Sequence, residues 1–406
     1  MMKSKPKRKS GLDIVIIGCG INGLFSAYNL LKEGHSVTII DRNREGLTSK
    51  NNAGLLQPSS LTSSPTMSPG RAFQAATVGW GAVYISPSQV ARNMNWFMRA
   101  FGNMTGYEEK IRELGMLSLK LYLDFFEKEH INPDVQKGIA ALYSNEEDGR
   151  KAAAAGKGRF IDEAEISQLG YMNLKGGAMF ENEVSINPIK LYESLRSRVS
   201  EMGANLILGK EAKLKTSGRK VEYVDIGEKL KADKYLVTTG SWADQTLKPL
   251  GYKPNVMPAR GMIMLFSTGM AKVVNAPALL EDTGIAIIQH NQNTLRITGF
   301  YEMVGHSPEF KESRKKWLLD NVKAHMKNFD KISFVRQSYG FRPCTSDQLP
   351  VIGKVPGYSD LFVAAGQCRL GMTLAAASGY AISEIIQGRK PSGVNADNFS
   401  PARFAL

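Results

Sequence analysis

Along residues 13–41 the hydrophobic and polar positions follow the pattern of a strand, a helix and a second strand. Residues 13–17 (Asp-Ile-Val-Ile-Ile) form a short apolar run rich in β-branched side chains, which is typical of a buried parallel strand. Apolar residues then recur at helical spacing from Leu24 to Leu31, and Gly34 ends this predicted helix. Residues 37–40 (Val-Thr-Ile-Ile) form a second β-branched run. The pattern therefore predicts a βαβ unit.

Three glycines separate the first strand from the helix, in the stretch 18–23 (Gly-Cys-Gly-Ile-Asn-Gly). Gly18 permits a tight turn, Gly20 lets the backbone approach a pyrophosphate, and Gly23 allows close packing of helix and strand. The N-terminus of the helix offers free N–H groups and a partial positive charge to phosphates. Asp41, 18 residues after Gly23, is placed to accept hydrogen bonds from ribose hydroxyls. The unit predicts a dinucleotide site, and Arg42 leaves open whether the nucleotide is FAD, NAD or a 2′-phosphorylated form.

The later pattern mixes helices and strands. Residues 89–130 favour helices, in which Trp96, Phe97, Leu119, Leu123 and Phe126 are the predicted apolar anchors. A helix is also predicted from Pro188, after Asn187, to Gly203. Residues 255–301 are strand-like, and residues 311–328 predict one more amphipathic helix.

Composition and charge narrow the class of protein. With 406 residues the chain is long enough for two domains, and 43% hydrophobic with 22% charged residues is ordinary for a globular protein. The formal charge of +14 suits anionic substrates or an acidic membrane surface. No nucleic-acid-binding motif accompanies the basic residues, so we expect no nucleic-acid partner.

Five basic residues lie within the first ten positions: Lys3, Lys5, Lys7, Arg8 and Lys9. Because this arm has no apolar run, it does not read as a secretory signal. Two interpretations remain open, a solvated disordered tail and a tether to anionic lipid worth about 1 kcal/mol per basic residue. The expected location is the cytoplasm, with the second interpretation adding peripheral contact with the cytoplasmic face of a membrane.

The three cysteines, Cys19, Cys344 and Cys368, fit neither a disulfide framework nor a zinc site. We therefore predict free thiols in a reducing compartment and no bound metal. No stretch approaches the roughly 18 unbroken apolar residues of a membrane span.

Four further segments extend the pattern of the first βαβ unit. They are 48–54 (Thr-Ser-Lys-Asn-Asn-Ala-Gly), 186–213, 232–242 and the stretch from Gly340-Phe341-Arg342-Pro343 to Gly366. Together with residues 13–41 they resemble, in order, the D-amino acid oxidase-like FAD-dependent oxidoreductases. The resemblance covers about residues 13–386 and looks closest to D-amino acid dehydrogenase and glycine oxidase.

The resemblance implies an α/β fold with a discontinuous, Rossmann-like FAD-binding domain and an inserted α+β substrate domain. The FAD-binding domain would comprise residues 11–60, 185–250 and 340–390, and the substrate domain residues 61–184 and 251–339. Residues 1–10 would form the basic arm and 391–406 a C-terminal tail. The implied FAD contacts are Gly18, Gly20, Ile21, Asn22, Gly23, Asp41, Arg42, Ser49, Asn52, Ala53, Gly54, Ala212, Gly240, Trp242, Gly366, Arg369, Leu370, Gly371, Met372 and Thr373.

An amino-acid substrate needs a fixed partner for its carboxylate, and the planar fork of arginine suits that role. Arg342 is the candidate, because the resemblance assigns this role to the arginine of the motif and Pro343 favours an extended backbone there. The alternative is a structural salt bridge between Arg342 and Asp347 or another acid.

Other candidate residues carry weaker signals. Gln367 is a candidate catalytic residue. It stands where the enzymes that this chain resembles commonly have histidine, which counts against a role in proton handling and leaves a hydrogen bond to substrate or backbone. Tyr301 is a candidate catalytic residue, and with Tyr84 a candidate wall of the substrate pocket. Cys344 and Cys368 lie near the predicted flavin but outside the register expected for covalent attachment. His290 and His306 are assigned no role.

The resemblance implies FAD-dependent oxidation of a small D-amino acid to its imino or keto acid, with electrons passed to a quinone or another carrier. One alternative is an oxidase of glycine, sarcosine or proline-type amines that uses oxygen. Others are a 2-hydroxy-acid dehydrogenase and a non-catalytic, flavoprotein-like subunit. A carboxylate clamp at Arg342 has no purpose in such a subunit.

Overall fold

Nineteen strands are found in the described part of the computed structural model, which comprises residues 11–44, 46–59, 81–102 and 106–405. The predicted basic arm, residues 1–10, lies outside these ranges. In chain order the strands are β1 (Asp13–Ile17), β2 (Ser36–Asp41), β3 (Leu55–Leu56), β4 (Val83–Ile85), β5 (Gln136–Tyr143), β6 (Arg159–Asp162), β7 (Gly176–Ser185), β8 (Asn205–Leu208), β9 (Lys213–Ser217), β10 (Lys220–Asp225), β11 (Lys229–Leu230), β12 (Lys234–Val237), β13 (Val256–Ser267), β14 (Ala278–Leu280), β15 (Ile285–Gln289), β16 (Thr294–Met303), β17 (Ser333–Thr345), β18 (Val351–Lys354) and β19 (Leu361–Ala365).

The α-helices of the same ranges connect or flank these strands. They are α1 (Ile21–Lys32), α2 (Leu47–Lys50), α3 (Pro87–Arg92), α4 (Met94–Gly102), α5 (Tyr107–Lys128), α6 (Glu146–Gly156), α7 (Glu163–Gln168), α8 (Pro188–Glu201), α9 (Ala243–Leu247), α10 (Glu312–His325) and α11 (Gly371–Ile386).

One sheet has six strands in the order β18-β19-β12-β1-β2-β8. All neighbours are parallel except β18, which runs antiparallel to β19. Helix α1 packs against α8 and α11, and their apolar faces share a core with this sheet. Gly379 of α11 permits the close approach to α1, because a Cβ there would lie 2.6 Å from the Cβ of Phe25. Crossover helices on a parallel sheet explain its near-continuous apolar strands.

The larger sheet follows the order β17-β13-β16-β15-β14-β5-β7-β3, with β4 paired to β16 and β6 to β7. Most of its pairs are antiparallel, and β14–β5 and β16–β4 are parallel. A second hydrophobic core, which includes Leu318 and Val322 of α10, covers one part of it. A small sheet, β11-β10-β9, completes the strand pairing.

The predicted α/β fold class is confirmed, and the predicted elements are found with small shifts at their ends. The prediction for Leu123 was wrong: its side chain is 43% exposed, whereas the other four anchors on α4 and α5 are buried. The last helix, α11, starts at Gly371.

Two segments differ from the predicted organisation. The proposed boundary between residues 339 and 340 falls inside β17, so the strand that carries Arg342 belongs to the larger sheet. Residues 391–405 do not hang free as a tail, because Phe399 is buried and Arg403 donates to Asp347 Oδ2 at 2.7 Å. Apolar burial and this ion pair hold the segment on the six-stranded sheet, where it contacts β18.

Candidate active site

A cavity of about 660 Å³ is lined by elements of both large sheets. Its walls include the β1–α1 turn, the ends of β2 and β12, residues 46–57, the middle of β13 and β17, and the loop before α11. This volume is within the range of sites for cofactors and small ligands.

The three glycines of the β1–α1 turn are required for different structural reasons. Gly18 has a φ of +115°, and a Cβ there would lie 2.6 Å from the Thr238 carbonyl oxygen. A Cβ on Gly23 would lie 2.1 Å from the carbonyl oxygen of Gly18. A Cβ on Gly20 would meet only Ser49 Oγ, at 3.5 Å. Gly18 and Gly23 therefore shape the turn, and Gly20 leaves open space where a phosphate would approach.

Polar groups surround this open space. The Ile21 amide donates to Ser49 Oγ at 2.9 Å, and the Cys19 amide donates to Asp41 Oδ2 at 2.7 Å. Asn22 Oδ1 is buried and has no hydrogen-bond partner among the described residues. Backbone amides at the start of α1, an unpartnered polar atom and free volume together fit the pyrophosphate of a dinucleotide.

Arg42 lies in an aromatic stack at the same end of the cavity. Its guanidinium is 4.3 Å from the ring centroid of Trp242, which in turn stacks on His306 at 4.5 Å. Burial, with the nearby Arg42 charge, lowers the pKa of His306 to about 4, so its ring is neutral at physiological pH. His306 was assigned no role from the sequence, and it supports the wall formed by Trp242.

Arg342 crosses the larger sheet beneath the cavity. From β17 its side chain passes over Gly261 of β13, and Nη1 donates to the Phe300 carbonyl oxygen of β16 at 2.7 Å. Burial lowers the pKa of Arg342 to about 10, so the guanidinium stays charged at neutral pH. It forms no ion pair with any acid in the described ranges, and Asp347 pairs with Arg403 instead. The guanidinium is therefore a partly buried cation that faces the cavity with donors to spare.

Gly261 is a site residue that the sequence analysis missed. A Cβ at this position would lie 2.4 Å from Nη1 and 2.6 Å from Nη2 of Arg342. Glycine inside a strand is a known signal of close approach, and Gly261 within residues 256–267 carries it. The signal does not say which group approaches.

The prediction of three free thiols was wrong. Cys344 of β17 and Cys368 of the loop before α11 form a disulfide, and Cys19 remains a buried free cysteine. An isolated bridge between Cys344 and Gln367 sets the loop beside the end of β17, which brings the two sulfurs together. Their separation of 24 residues belongs to no recognised spacing, so the sequence carries no sign of the pairing.

The remaining catalytic candidates differ in position. Gln367 lines the cavity, and its buried side-chain amide has no hydrogen-bond partner in the part of the chain that the structure describes. Tyr301 and Tyr84 are not among the lining residues. The Tyr301 hydroxyl lies 3.6 Å from Cys368 Sγ, and burial raises its pKa to about 12.

All but three of the residues proposed to contact FAD line the cavity. The exceptions are Gly23, Gly54 and Gly366, which are packed behind it. A Cβ on Gly54 would lie 2.0 Å from the Ile186 carbonyl oxygen, and one on Gly366 would lie 2.7 Å from Thr345 Cγ2. Their role is to let backbone segments meet, a role that glycine fills without strain.

Comparison with known proteins adds an independent observation. A family model described as "DAO: FAD dependent oxidoreductase" matches residues 13–385. The chain belongs to this family of FAD-dependent oxidoreductases. Family membership and FAD as the cofactor, both predicted from the sequence, are thus confirmed.

Individual relatives of this FAD-dependent oxidoreductase carry related names. D-amino acid dehydrogenase of Rhizorhabdus wittichii is 26% identical, over 94% of this chain and 97% of its own length. D-amino acid dehydrogenase of Vibrio vulnificus is 24% identical, over 94% and 98%. Iminodiacetate oxidase from Chelativorans sp. BNC1 has a TM-score of 0.77 at 19% identity, covering 96% of this chain and 98% of that one. Glycine oxidase from Geobacillus kaustophilus has a TM-score of 0.77 at 20% identity, covering 97% and 98%.

The described ranges contain no group of three or more His, Cys, Asp or Glu side chains that could hold a metal ion. No helix within them is long and apolar enough to cross a membrane.

Proposed function

We propose that this FAD-dependent oxidoreductase oxidises a small D-amino acid to its imino acid, which water converts to the keto acid. The observation that carries the proposal is the partly buried, charged Arg342 facing the cofactor cavity without an acidic partner among the described residues. Relatives over nearly the full chain are named D-amino acid dehydrogenases, which supports the same reaction class.

The chain's own residues bind and orient the substrate. The bond from Nη1 to the Phe300 carbonyl holds the Arg342 guanidinium in one position, which leaves its other donors for a carboxylate. Inside the occupied cavity, water screens the ion pair between Arg342 and the substrate carboxylate only weakly, so this pair holds the substrate α-carbon in a fixed position. FAD, when bound, supplies the two-electron oxidation of the carbon–nitrogen bond. Donors around Gly20 and Ser49 would hold its pyrophosphate.

Substitution of Arg342 tests the clamp. Arg342→Ala removes one partner of a buried ion pair, a change that typically costs about 3–5 kcal/mol. We therefore expect kcat/KM to fall by roughly two to four orders of magnitude, with unchanged FAD content. Arg342→Lys keeps the charge and loses the planar fork, so its loss should be intermediate.

The decisive measurement compares an amino acid with the amine formed by its decarboxylation. The wild-type enzyme should strongly prefer the acid, and Arg342→Ala should lose most of that preference. A variant that keeps its preference for the carboxylate would show that Arg342 is structural and that the clamp lies elsewhere.

We also propose that the electrons pass to a quinone or another carrier much faster than to oxygen, as the dehydrogenase names of the relatives support. The alternative is an oxidase of glycine-type amines, which the likeness to glycine oxidase keeps open. Stopped-flow mixing of reduced enzyme with air-saturated buffer separates the two. Rapid reoxidation with stoichiometric hydrogen peroxide would favour the oxidase.

For location we propose the cytoplasm, with the basic arm, residues 1–10, as the candidate for peripheral contact with anionic lipid. A solvated tail without a partner is the alternative for this arm. Vesicle binding of the shortened chain distinguishes them.

A further inference from the structure

Among the described residues, five acidic residues line the cavity, and Glu281 differs from the other four in having no side-chain partner. Asp41 accepts from the Cys19 and Asn43 amides, and Asp148 accepts from Asn145. Glu211 pairs with Lys213 at 3.8 Å, and Asp282 accepts from the Ser144 amide at 2.7 Å. The Glu281 side chain forms no hydrogen bond or ion pair with any residue in the described ranges. Among these lining acids, Glu281 alone is therefore free to receive a ligand.

The strand register places Glu281 near the clamp. It begins the turn between β14 and β15, which is closed by a 2.7 Å bond from the Gly284 amide to the Leu280 carbonyl. β15 and β16 pair Ala286 with Thr298, so continuing this register sets Gly284 level with Phe300. Phe300 is the residue whose carbonyl holds Arg342. Gly284 thus lies about one strand spacing, roughly 4.8 Å, from the anchor of the guanidinium. Because β14 and β15 pair Leu280 with Ile285, Glu281 lies opposite Gly284 and about two strand spacings from that anchor, a span that a bound amino acid and the two side chains can bridge.

The surroundings of Glu281 favour a cationic ligand. Partial burial raises the pKa of Glu281 to about 7; Arg369 opposes this increase and Asp282 adds to it. Tyr143 and Asp148 line the same part of the cavity, and the Glu281 amide donates to the neighbouring Leu142 carbonyl at 3.0 Å. A protonated amine beside Glu281 would favour the ionised carboxylate.

We propose that Glu281 binds the protonated amine of the substrate whose carboxylate lies on Arg342. The amine is either the α-amine or an amine on the side chain, and both present the same ammonium chemistry. This inference rests on the proposed function. With Arg342 it would give the cavity two opposite charges, which distinguish an amino acid from a carboxylic or 2-hydroxy acid.

If the amine bound by Glu281 is the α-amine, Glu281 can also take part in the reaction. The ammonium must lose a proton before the carbon–nitrogen bond is oxidised, and the Glu281 carboxylate can accept it: an N–H bond breaks and an O–H bond forms. Gln367, which also lines the cavity, has no titratable group for this step.

Equilibrium binding tests the inference without turnover. 2-Aminoisobutyric acid has no hydrogen on its α-carbon and is not oxidised, and isobutyric acid is its match without the amine. Titrations of the FAD-loaded protein, followed by the flavin absorbance, give both dissociation constants. Glu281→Gln should weaken binding of the amino acid by about 10- to 100-fold and leave isobutyric acid unchanged. Wild-type affinity for the amino acid should rise as the pH increases through about 7, and the variant should lose this dependence.

A second arm identifies a side-chain amine. D-Lysine and D-norleucine differ chiefly in the ε-ammonium group, so Glu281→Gln should lower the ratio of their kcat/KM values by about 10- to 100-fold if that group is the ligand. Asp282→Asn is the matched control: it changes the next carboxylate of the same turn, which is held by Ser144. Because the Asp282 charge helps to raise the pKa of Glu281, this control is measured at a pH well above 7, where Glu281 is ionised with or without Asp282, and there it should alter neither comparison.

The inference is overturned if Glu281→Gln leaves both comparisons unchanged, or if it weakens isobutyric acid as much as 2-aminoisobutyric acid. Because the binding arm needs no turnover, it remains readable if no D-amino acid is oxidised. In that case the proposed reaction fails and the amine subsite is judged separately.

Discussion

Gly261→Ala is the sharpest test of the structure beneath the cavity, because it adds one methyl group under the Arg342 guanidinium. The new Cβ would lie 2.4 Å from Nη1, 2.6 Å from Nη2 and 2.7 Å from Cζ. Gly261 does not have a positive φ, so alanine suits its backbone. The strain therefore falls on the side chain of Arg342, which must move.

The size of the displacement sets the expected effect. Ordinary van der Waals contact begins near 3.4 Å, so a guanidinium atom at 2.4 Å must retreat by about 1 Å. Such a shift weakens the bond to the Phe300 carbonyl and misplaces a substrate held by Arg342. A misplacement of about 1 Å can lower the rate about 100-fold, which corresponds to about 2.7 kcal/mol in the barrier.

Steady-state kinetics with a D-amino acid measure this loss as kcat/KM. FAD content should be unchanged, since the predicted pyrophosphate cradle lies at the β1–α1 turn, and the Tm should fall only slightly. The control is the same substitution in the Arg342→Ala background, where no guanidinium remains to be displaced and no further loss is expected. An equal loss in both backgrounds would refute the reasoning, because the effect of Gly261 would then not pass through Arg342.

Three further predictions concern the cofactor, the cysteines and the N-terminal arm. Gly20→Val should fold, since a Cβ fits there, but should lose FAD because the side chain fills the phosphate space; full flavin absorbance would contradict this placement. Thiol titration of the unfolded protein should find only Cys19 before reduction and also Cys344 and Cys368 after it; three thiols before reduction would exclude the disulfide. Deleting residues 1–10 should leave turnover with a soluble dye unchanged and weaken binding to anionic vesicles in a salt-dependent way; equal vesicle binding would favour a plain tail.

The sequence by itself determined the features that depend on neighbouring residues. The β-branched run at residues 13–17, the glycines that follow and Asp41 at the end of β2 form one local unit, because each member acts within a single turn, helix or strand. The order of further motifs along the chain then led to the family and to FAD. Arg342 was singled out by its motif.

Only the tertiary structure decided which distant residues meet. Antiparallel pairing of β17, β13 and β16 lays Arg342 over Gly261 and against Phe300, and no periodicity in the sequence reports a register between separate strands. The same is true of the Cys344–Cys368 disulfide and of Glu281, whose turn reaches the clamp only through the pairing of β14, β15 and β16. Hydrophobic periodicity records which face of an element is buried, whereas the contacts of a site depend on how the elements are aligned in the folded chain.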